Sequence, residues 1–451
     1  MRSINELKPR LSGEQRKIAF YPSEKSLVVL GGAGTGKTVV GTFRLYQALY
    51  PNELFPIQTK AEAVGYIAFN TALAQEVREE VRTWGNKRAR VSSFDSLVWH
   101  LLPAEEVGDI NPTAQRQARD LARQEVFAAV TTAIAQKADE FYADEIAWIK
   151  GRAIDSLEAY QAASREGRGS DVRVTQANRV QLWNLFTRYN ELLHTMGFVD
   201  WEDRHLRLRA KALKPFFLRL VIDEAQDLSP VMLEILLRLV DWEHGGSITL
   251  LSDNAQHIYP RGCTPRELRA ALKPYPNIPH RPFTLIHNYR NPRAIAEAAE
   301  LVLGPLPPEE ESTQHELPAE TGGNKPEILW LGERTRNYLK QLITTDLRGT
   351  VVAFATSRLL SRNREQLKAI CDVELKTFRL LKGHEFRQVI LIGCSDEHLP
   401  KSEDEAANRQ IRKLLYIAMT RATERLTFVL KPTDILSPFL EKAREKCTEI
   451  R

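Results

Sequence analysis

Residues 31–38 read Gly31-Gly32-Ala33-Gly34-Thr35-Gly36-Lys37-Thr38, between the apolar run Ser26-Leu27-Val28-Val29-Leu30 and the helix-patterned stretch from Val39 to Tyr50. The eight residues fit G-x-x-x-x-G-K-[ST] in its strand, loop, helix context. This junction constrains the fold more than any other feature, because a strand that feeds a helix N-terminus through so tight a loop belongs to a layered α/β domain. Its chemistry is equally specific. Glycines let consecutive backbone N–H groups turn inward on phosphates at a helix N-terminus. In such a loop Lys37 reaches the β- and γ-phosphates of ATP and the Thr38 hydroxyl binds Mg²⁺. A glycine-rich turn with a chance lysine would match the letters without the flanking elements.

Short β-branched runs recur along the chain at Leu27–Leu30, Val64–Phe69, Arg90–Ser93, Leu218–Ile222, Ile248–Leu251, Phe283–Ile286, Ile328–Leu331, Thr350–Phe354, Val389–Ile392 and Leu426–Leu430. Helical periodicity separates most of them, which predicts α/β architecture with largely parallel sheets. From about Trp99 to Arg188 the strand signal lapses. Ala114–Gln136 and Val174–Leu193 read as amphipathic helices there, so an all-helical insertion is expected over 99–190. Residues 304–326 hold too much Pro, Glu and Gly for a core and are expected to form a mobile loop. The expected organisation is a first domain over 1–98 and 191–286, the insertion, and a second domain over 287–451.

Composition excludes several classes. Of 451 residues 43% are hydrophobic and 27% charged, as in ordinary globular proteins rather than disordered or fibrous ones. The 63 basic residues against 58 acidic ones leave a charge of +5, only mildly basic. No run approaches the roughly 20 apolar residues of a membrane span, and the first residues lack an apolar signal core, so a cytoplasmic protein without membrane contact is expected. The four cysteines are isolated and form no zinc-binding pair.

A second carboxylate-bearing strand should complete a Mg²⁺ site. Leu218–Ile222 ends in Asp223-Glu224-Ala225-Gln226-Asp227. Asp223 is placed to hold Mg²⁺ through water, and Glu224 to polarise the water that attacks the γ-phosphate. Arginines must also reach the developing charge, and Arg290 and Arg421 are the candidates.

The order of motifs resembles the UvrD/Rep-like superfamily 1 DNA helicases over nearly the whole chain. Leu11-Ser12-Gly13-Glu14-Gln15 looks like the adenine-reading Q motif, with Gln15 the base contact. Asp223–Asp227 matches D-E-x-Q-D. Asp253-Asn254-Ala255-Gln256-His257-Ile258-Tyr259 looks like D-x-x-Q-x-I-Y, which implies that Gln256 senses the γ-phosphate. Leu285-Ile286-His287-Asn288-Tyr289-Arg290 resembles L-x-x-N-Y-R, implying that Tyr289 stacks on adenine and Arg290 contacts the γ-phosphate. Thr377, Lys382-Gly383 and Glu385-Phe386 match T-x-H-x-x-K-G-x-E-F in part, with Glu385 expected near the ribose. Leu415-Tyr416-Ile417-Ala418-Met419-Thr420-Arg421-Ala422 is nearly L-Y-V-A-M-T-R-A, which makes Arg421 a second arginine finger. The resemblance implies two RecA-like domains, ATP in the cleft between them, and a motor moving 3′→5′ on single-stranded DNA by ATP-driven cleft closure.

The chain departs from that pattern in several places. Only 86 residues lie between Arg290 and Thr377, where relatives carry a large helical insertion, so a compact form is expected and translocation is a safer expectation than processive unwinding. Relatives follow I-Y with an aromatic in x-W-R-G-A, whereas Tyr259 precedes Pro260-Arg261-Gly262-Cys263, so one stacking platform is missing. Phe69 and Tyr259 remain as base-stacking candidates or as plain core, and Asn70 and Arg379 are further candidate nucleic-acid contacts. Arg379 and Asp95 replace motif histidines, leaving RNA or a hybrid open as substrate. Basic clusters at Arg82–Arg90 and Arg204–Lys214 either track a phosphate backbone or are solvated helix faces. The Arg165–Gly169 turn is open between nucleic-acid contact, partner docking and a tight turn. A second functional reading is a nucleic-acid-gated ATPase switch acting with a partner nuclease, as in compact relatives of anti-phage systems.

Overall fold

The computed structural model describes residues 11–50, 63–84, 89–128, 132, 134–164, 174–276, 278, 282–305, 324–370 and 372–451. Most of the expected loop over 304–326, the Arg165–Gly169 turn, Lys87 and Arg88 lie outside them. The chain divides into two units. The first comprises residues 1–29, 38–252 and 259–283, and the second comprises 30–37, 253–258 and 284–451.

In chain order the strands up to residue 285 are β1 (Leu27–Gly31), β2 (Val64–Ala68), β3 (Ala89–Ser93), β4 (Asp109–Ile110), β5 (Phe198–Val199), β6 (Arg219–Ile222), β7 (Ser247–Ser252) and β8 (Phe283–Leu285). Six form one sheet in the order β3-β2-β6-β7-β1-β8. Parallel pairing sets Val64 against Ala89 and Arg219, and Ile222 against Leu250. The strands β2 and β7 are buried along their whole length, the signature of a parallel sheet covered on both faces. Phe94, Leu97, Leu220, Ile222, Ile235, Leu236, Ile248 and Leu250 make the core of the first unit beside this sheet.

The segment after β3 is mainly helical. Helices Pro112–Phe127, Asp139–Gly151, Leu157–Ala162 and Gln176–Thr195 bury Ala118, Ala122, Trp148, Ile149, Tyr160, Leu182 and Tyr189 in a core of their own. Two expectations need correction here. The insertion is not wholly helical, because β4 pairs in parallel with β5. Two-residue strands carry too little periodicity to be read from sequence. The helix expected over Ala114–Gln136 ends at Phe127, ahead of the β-branched Val130-Thr131-Thr132, which lacks strong helix formers.

The second unit holds β9 (Glu327–Trp330), β10 (Thr350–Phe354), β11 (Glu374–Thr377), β12 (Phe386–Ile392), β13 (Ala422–Leu430) and β14 (Thr448–Ile450). They form a parallel sheet in the order β11-β10-β12-β13-β9-β14. Val351, Val389, Leu391, Leu426 and Phe428 pack with helices Arg293–Leu303 and Glu405–Met419 in one core, and Val352, Phe354 and Ile390 belong to another. Ala33 and Ala255 belong to the first of these cores, which explains why 30–37 and 253–258 group with the second unit although sequence order places them with the first. No helix among the described residues is long and apolar enough to cross a membrane.

Candidate functional site

The first unit holds a buried carboxylate ringed by donors. Strand β6 delivers Asp223, which is almost wholly buried. Asp223 Oδ2 accepts from the Thr38 hydroxyl at 2.8 Å and from the Tyr66 hydroxyl at 2.6 Å, while Oδ1 accepts from Glu224 N at 2.8 Å. Burial and the neighbouring Asp223 push the Tyr66 phenol well above its ordinary value, so it stays a donor. Glu224 has φ of +54°, a left-handed conformation that costs a non-glycine residue about 1–3 kcal/mol and persists where the surroundings impose it. Its side chain accepts from Gln226 Nε2.

The second unit holds residues 31–37 of the phosphate loop and both arginines. Lys37 Nζ donates to Gly31 O at 2.8 Å, Gly32 O at 2.9 Å and Asp253 Oδ2 at 3.1 Å. Gln256 Nε2 donates to the same Asp253 oxygen at 2.7 Å. Arg421 Nη2 donates to Gln256 Oε1 at 2.7 Å, and Lys382 donates to the Gln256 carbonyl. All five side chains are buried. Four of them thus form one chain, Lys37–Asp253–Gln256–Arg421, from the phosphate loop to an arginine.

Tyr289 N donates to Gly34 O at 2.9 Å, bringing the Asn288–Asn291 turn against the loop. Gly34 has φ of +73°, and a Cβ there would collide with Asn288 Oδ1 and lie 2.7 Å from Arg290 Cβ, so only glycine fits this cradle. Arg290 pairs with Glu385 through Nη2, whereas its buried Nε has no hydrogen-bond partner among the described residues. Tyr289 is more than half exposed.

Other sequence-stated candidates are placed less simply. Gln15 Oε1 accepts from Ser12 N at 2.9 Å in a capping box that starts the helix Gly13–Ala19, so that oxygen supports the helix. Asn70 Oδ1 accepts from Leu73 N at 2.8 Å and caps Thr71–Thr83, which is a structural use of the side chain. Arg379 is exposed on a single turn, Phe378–Leu381. Phe69 and Tyr259 are half-buried and meet at 5.5 Å between centroids. Arg261 lies 5.6 Å and 5.9 Å from those two rings. Asp95 pairs with His205 at 2.9 Å.

Four members of the basic cluster before β6 are engaged within the protein. Arg204 binds the Val107 and Gly108 carbonyls, Arg207 the Glu106 carbonyl, Arg209 binds Glu234 and Lys211 binds Glu106. These four partners are an alternative to a phosphate backbone. Sequence reasoning quoted Asp253 and Lys382 inside motifs without giving either a role, and it missed Tyr66 and Asn291. Asn291 follows Arg290 directly, and its adjacency was the available signal. Among the described residues no cluster of His, Cys, Asp and Glu forms a metal site of its own.

Residues 11–276 match the UvrD/REP helicase N-terminal domain, and residues 309–432 match the UvrD-like helicase C-terminal domain. A stretch of 91 residues is 35% identical to a Bacillus subtilis (strain 168) protein provisionally named as the ATP-dependent DNA helicase YjcD, covering 16% of this chain. The matched stretch spans only 12% of that relative's length. The crystal structure of the C-terminal domain of a possible DNA helicase from Lactobacillus plantarum WCFS1 aligns over 36% of this chain and 98% of its own, at 18% identity and a TM-score of 0.27.

Proposed function

The chain belongs to the UvrD/REP helicase family, and we propose that it is an ATP-driven motor that moves 3′→5′ along single-stranded DNA. The observation that carries this reading is the buried chain Lys37–Asp253–Gln256–Arg421. It joins the lysine suited to β- and γ-phosphates to an arginine through side chains alone, so a change at the γ-phosphate alters what Arg421 is bonded to. A motor needs such a differential, since a ligand shifts a conformational equilibrium only by its unequal affinity for the two states.

The residues fit ATP and Mg²⁺. The cradle at Gly34 excludes any Cβ, the Arg290 Nε lacks a partner among the described residues, and the Thr38–Asp223 pair offers the hydroxyl and carboxylate of a Mg²⁺ site. Mg²⁺, when bound, neutralises charge on the β- and γ-oxygens. Gly31–Lys37 would bind the phosphates, with Tyr289 against the adenine and Glu385 near the ribose. Glu224 would accept a proton from the attacking water, Gln256 would report the γ-phosphate, and Arg290 and Arg421 would stabilise the charge that develops on it. Phe69, Tyr259 and Arg379 are the proposed DNA contacts. Strand separation is not part of the proposal.

The test is steady-state ATP hydrolysis without nucleic acid and with single-stranded DNA, duplex DNA or single-stranded RNA, using Lys37→Ala as the blank. Strong stimulation by single-stranded DNA is expected, together with loss of turnover in the blank. Equal turnover with and without nucleic acid would overturn the motor. Stimulation by RNA alone would reassign the substrate, and turnover that awaits a second protein would favour the gated switch.

A further inference from the structure

Helix Phe94–Leu101 buries Phe94, Leu97 and Val98 and turns Trp99 outward, 55% exposed. Helix Trp201–Arg209 starts with Trp201, 41% exposed. Elsewhere in the first unit Trp84 and Trp148 are fully buried, as expected of the side chain with the largest apolar area. Leaving two indoles in water forgoes about 25 cal/mol per Å² of apolar surface, and exposed apolar area that is also rigid marks a recognition surface.

Both rings are held from beneath by one cation. The Arg204 guanidinium carbon lies 5.0 Å from the ring of Trp99 and 5.0 Å from that of Trp201, within cation–π range. Arg204 is 5% exposed and cannot swing away, because Nε donates to Val107 O at 2.8 Å and Nη2 to Gly108 O at 2.6 Å. Gly108 is itself fixed at φ of +64°, where a Cβ would lie 2.9 Å from Val199 Cγ2. The start of the second helix is anchored too. Asp200 caps it through Asp203 N at 2.9 Å and accepts from the buried Lys150 at 2.6 Å.

We propose that Trp99 and Trp201, braced on Arg204, form a stacking platform for the bases of single-stranded DNA. The ligand must present a flat π face to exposed indole, and it must not be a cation, because the Arg204 guanidinium lies against both rings. A nucleobase meets both conditions. A second aromatic cluster of the same unit is linked to the start of helix Trp201–Arg209. Glu202, next to Trp201, accepts from Arg261 at 2.6 Å, and Arg261 is the cation over Phe69 and Tyr259. Residues 201–202 therefore tie two arginine–aromatic stacks together. This inference rests on the motor reading above, since it names where that motor holds the bases of its strand.

The experiment measures binding of the full chain to a fluorescent oligothymidine strand and to an abasic strand of equal length, for wild type, Trp99→Ala, Trp201→Ala and the Trp→Phe variants. Circular dichroism melts check that each variant is folded. Base–aromatic stacking is worth about 1–3 kcal/mol per base, so each alanine variant should bind oligothymidine about 5- to 150-fold more weakly. Phenylalanine should restore most of the loss, and the abasic strand should bind wild type and variants alike. Alanine variants with wild-type affinity for oligothymidine, or an equal loss on the abasic strand, would overturn the platform. A wild type that binds neither strand would overturn the motor reading and the platform with it. A wild type that binds a proline-rich peptide at these tryptophans in preference to oligothymidine would reassign the surface.

Discussion

Arg421 and Gln256, 165 residues apart in sequence, are joined by a 2.7 Å hydrogen bond from guanidinium Nη2 to the side-chain oxygen. The same Gln256 donates through its other end to Asp253 at 2.7 Å, so its amide is read from both sides. An arginine brought to a transferring phosphoryl group contributes about 10³- to 10⁵-fold to turnover. Arg421→Ala should therefore lower DNA-stimulated kcat by at least about 10³-fold. Gln256→Ala, which leaves Arg421 in place and removes one of the groups it is bonded to, should cost about 10²-fold, the scale of one removed transition-state donor. Steady-state kinetics decide it, and an Arg421→Ala protein within about tenfold of wild type would end the assignment.

How much of this was legible in sequence depended on whether the chemistry is local. The phosphate loop was readable because strand, glycines, lysine and helix are consecutive, and Asp223 because it ends a strand whose apolar run announces it. The Lys37–Asp253 pair was not, since 216 positions separate its members and only the folded chain brings them together. Arg204 shows the opposite failure. On paper it belongs to a basic cluster, yet it is buried on backbone carbonyls under two indoles. Charge runs announce composition and leave burial undetermined. The strands β11 and β14 escaped because Glu374–Thr377 and Thr448–Ile450 carry charged residues on short edge-side segments, which weakens the hydrophobic signal.

Asn291 links the two arginine-bearing segments of the second unit. Its Nδ2 donates to the carbonyls on either side of Arg421, Thr420 O at 3.0 Å and Ala422 O at 2.7 Å. Its Oδ1 accepts from Asn288 Nδ2 at 3.1 Å, and Asn288 Oδ1 accepts from Arg290 N at 2.9 Å. Asn291→Leu keeps similar volume and takes one donor from each of two carbonyls, at about 1–3 kcal/mol for any buried group left unpaired. Its kcat should fall more than its KM for ATP changes. In a double-mutant cycle the loss should be strongly non-additive with Arg421→Ala, because coupled residues share one effect. Additive losses would reduce Asn291 to a packing residue.

Glu300 gives the second unit a pH dependence whose sign is fixed. The carboxyl is pushed up to about 7 by burial first and by the negative Asp253 second, while a hydrogen bond with Tyr416 opposes the rise. It is thus protonated in the folded protein over a range where the unfolded chain, at its ordinary 4.5, is ionised. Stability from this group is complete below about pH 4.5 and is lost as pH rises through about 7, by at most about 3 kcal/mol. Glu300→Gln removes the titration. Melting temperatures of the two proteins should diverge in that window, with the glutamine variant the more stable at pH 8. Parallel curves from pH 4 to 8 would refute the assignment.

Tyr66 and Asp223 separate charge from hydrogen bonding in the metal site. The donors on Asp223 include Thr38 and Tyr66 on Oδ2 and Glu224 N on Oδ1. Tyr66→Phe removes one of them and leaves the carboxylate charged and still oriented by Thr38 and Glu224 N. Removing an orienting partner of this kind costs about 10- to 100-fold in metal affinity at ligating residues, and with Thr38 and Glu224 N still in place the lower end is expected. Asp223→Asn keeps the shape and removes the charge, so a Mg²⁺ concentration that saturates wild type should no longer support turnover. Chelation of Mg²⁺ should reproduce the Asp223→Asn result in wild type. Titrating Mg²⁺ in the ATPase assay orders the three proteins, and a Tyr66→Phe requirement as severe as that of Asp223→Asn would mean that the hydroxyl, rather than the carboxylate charge, controls the ion.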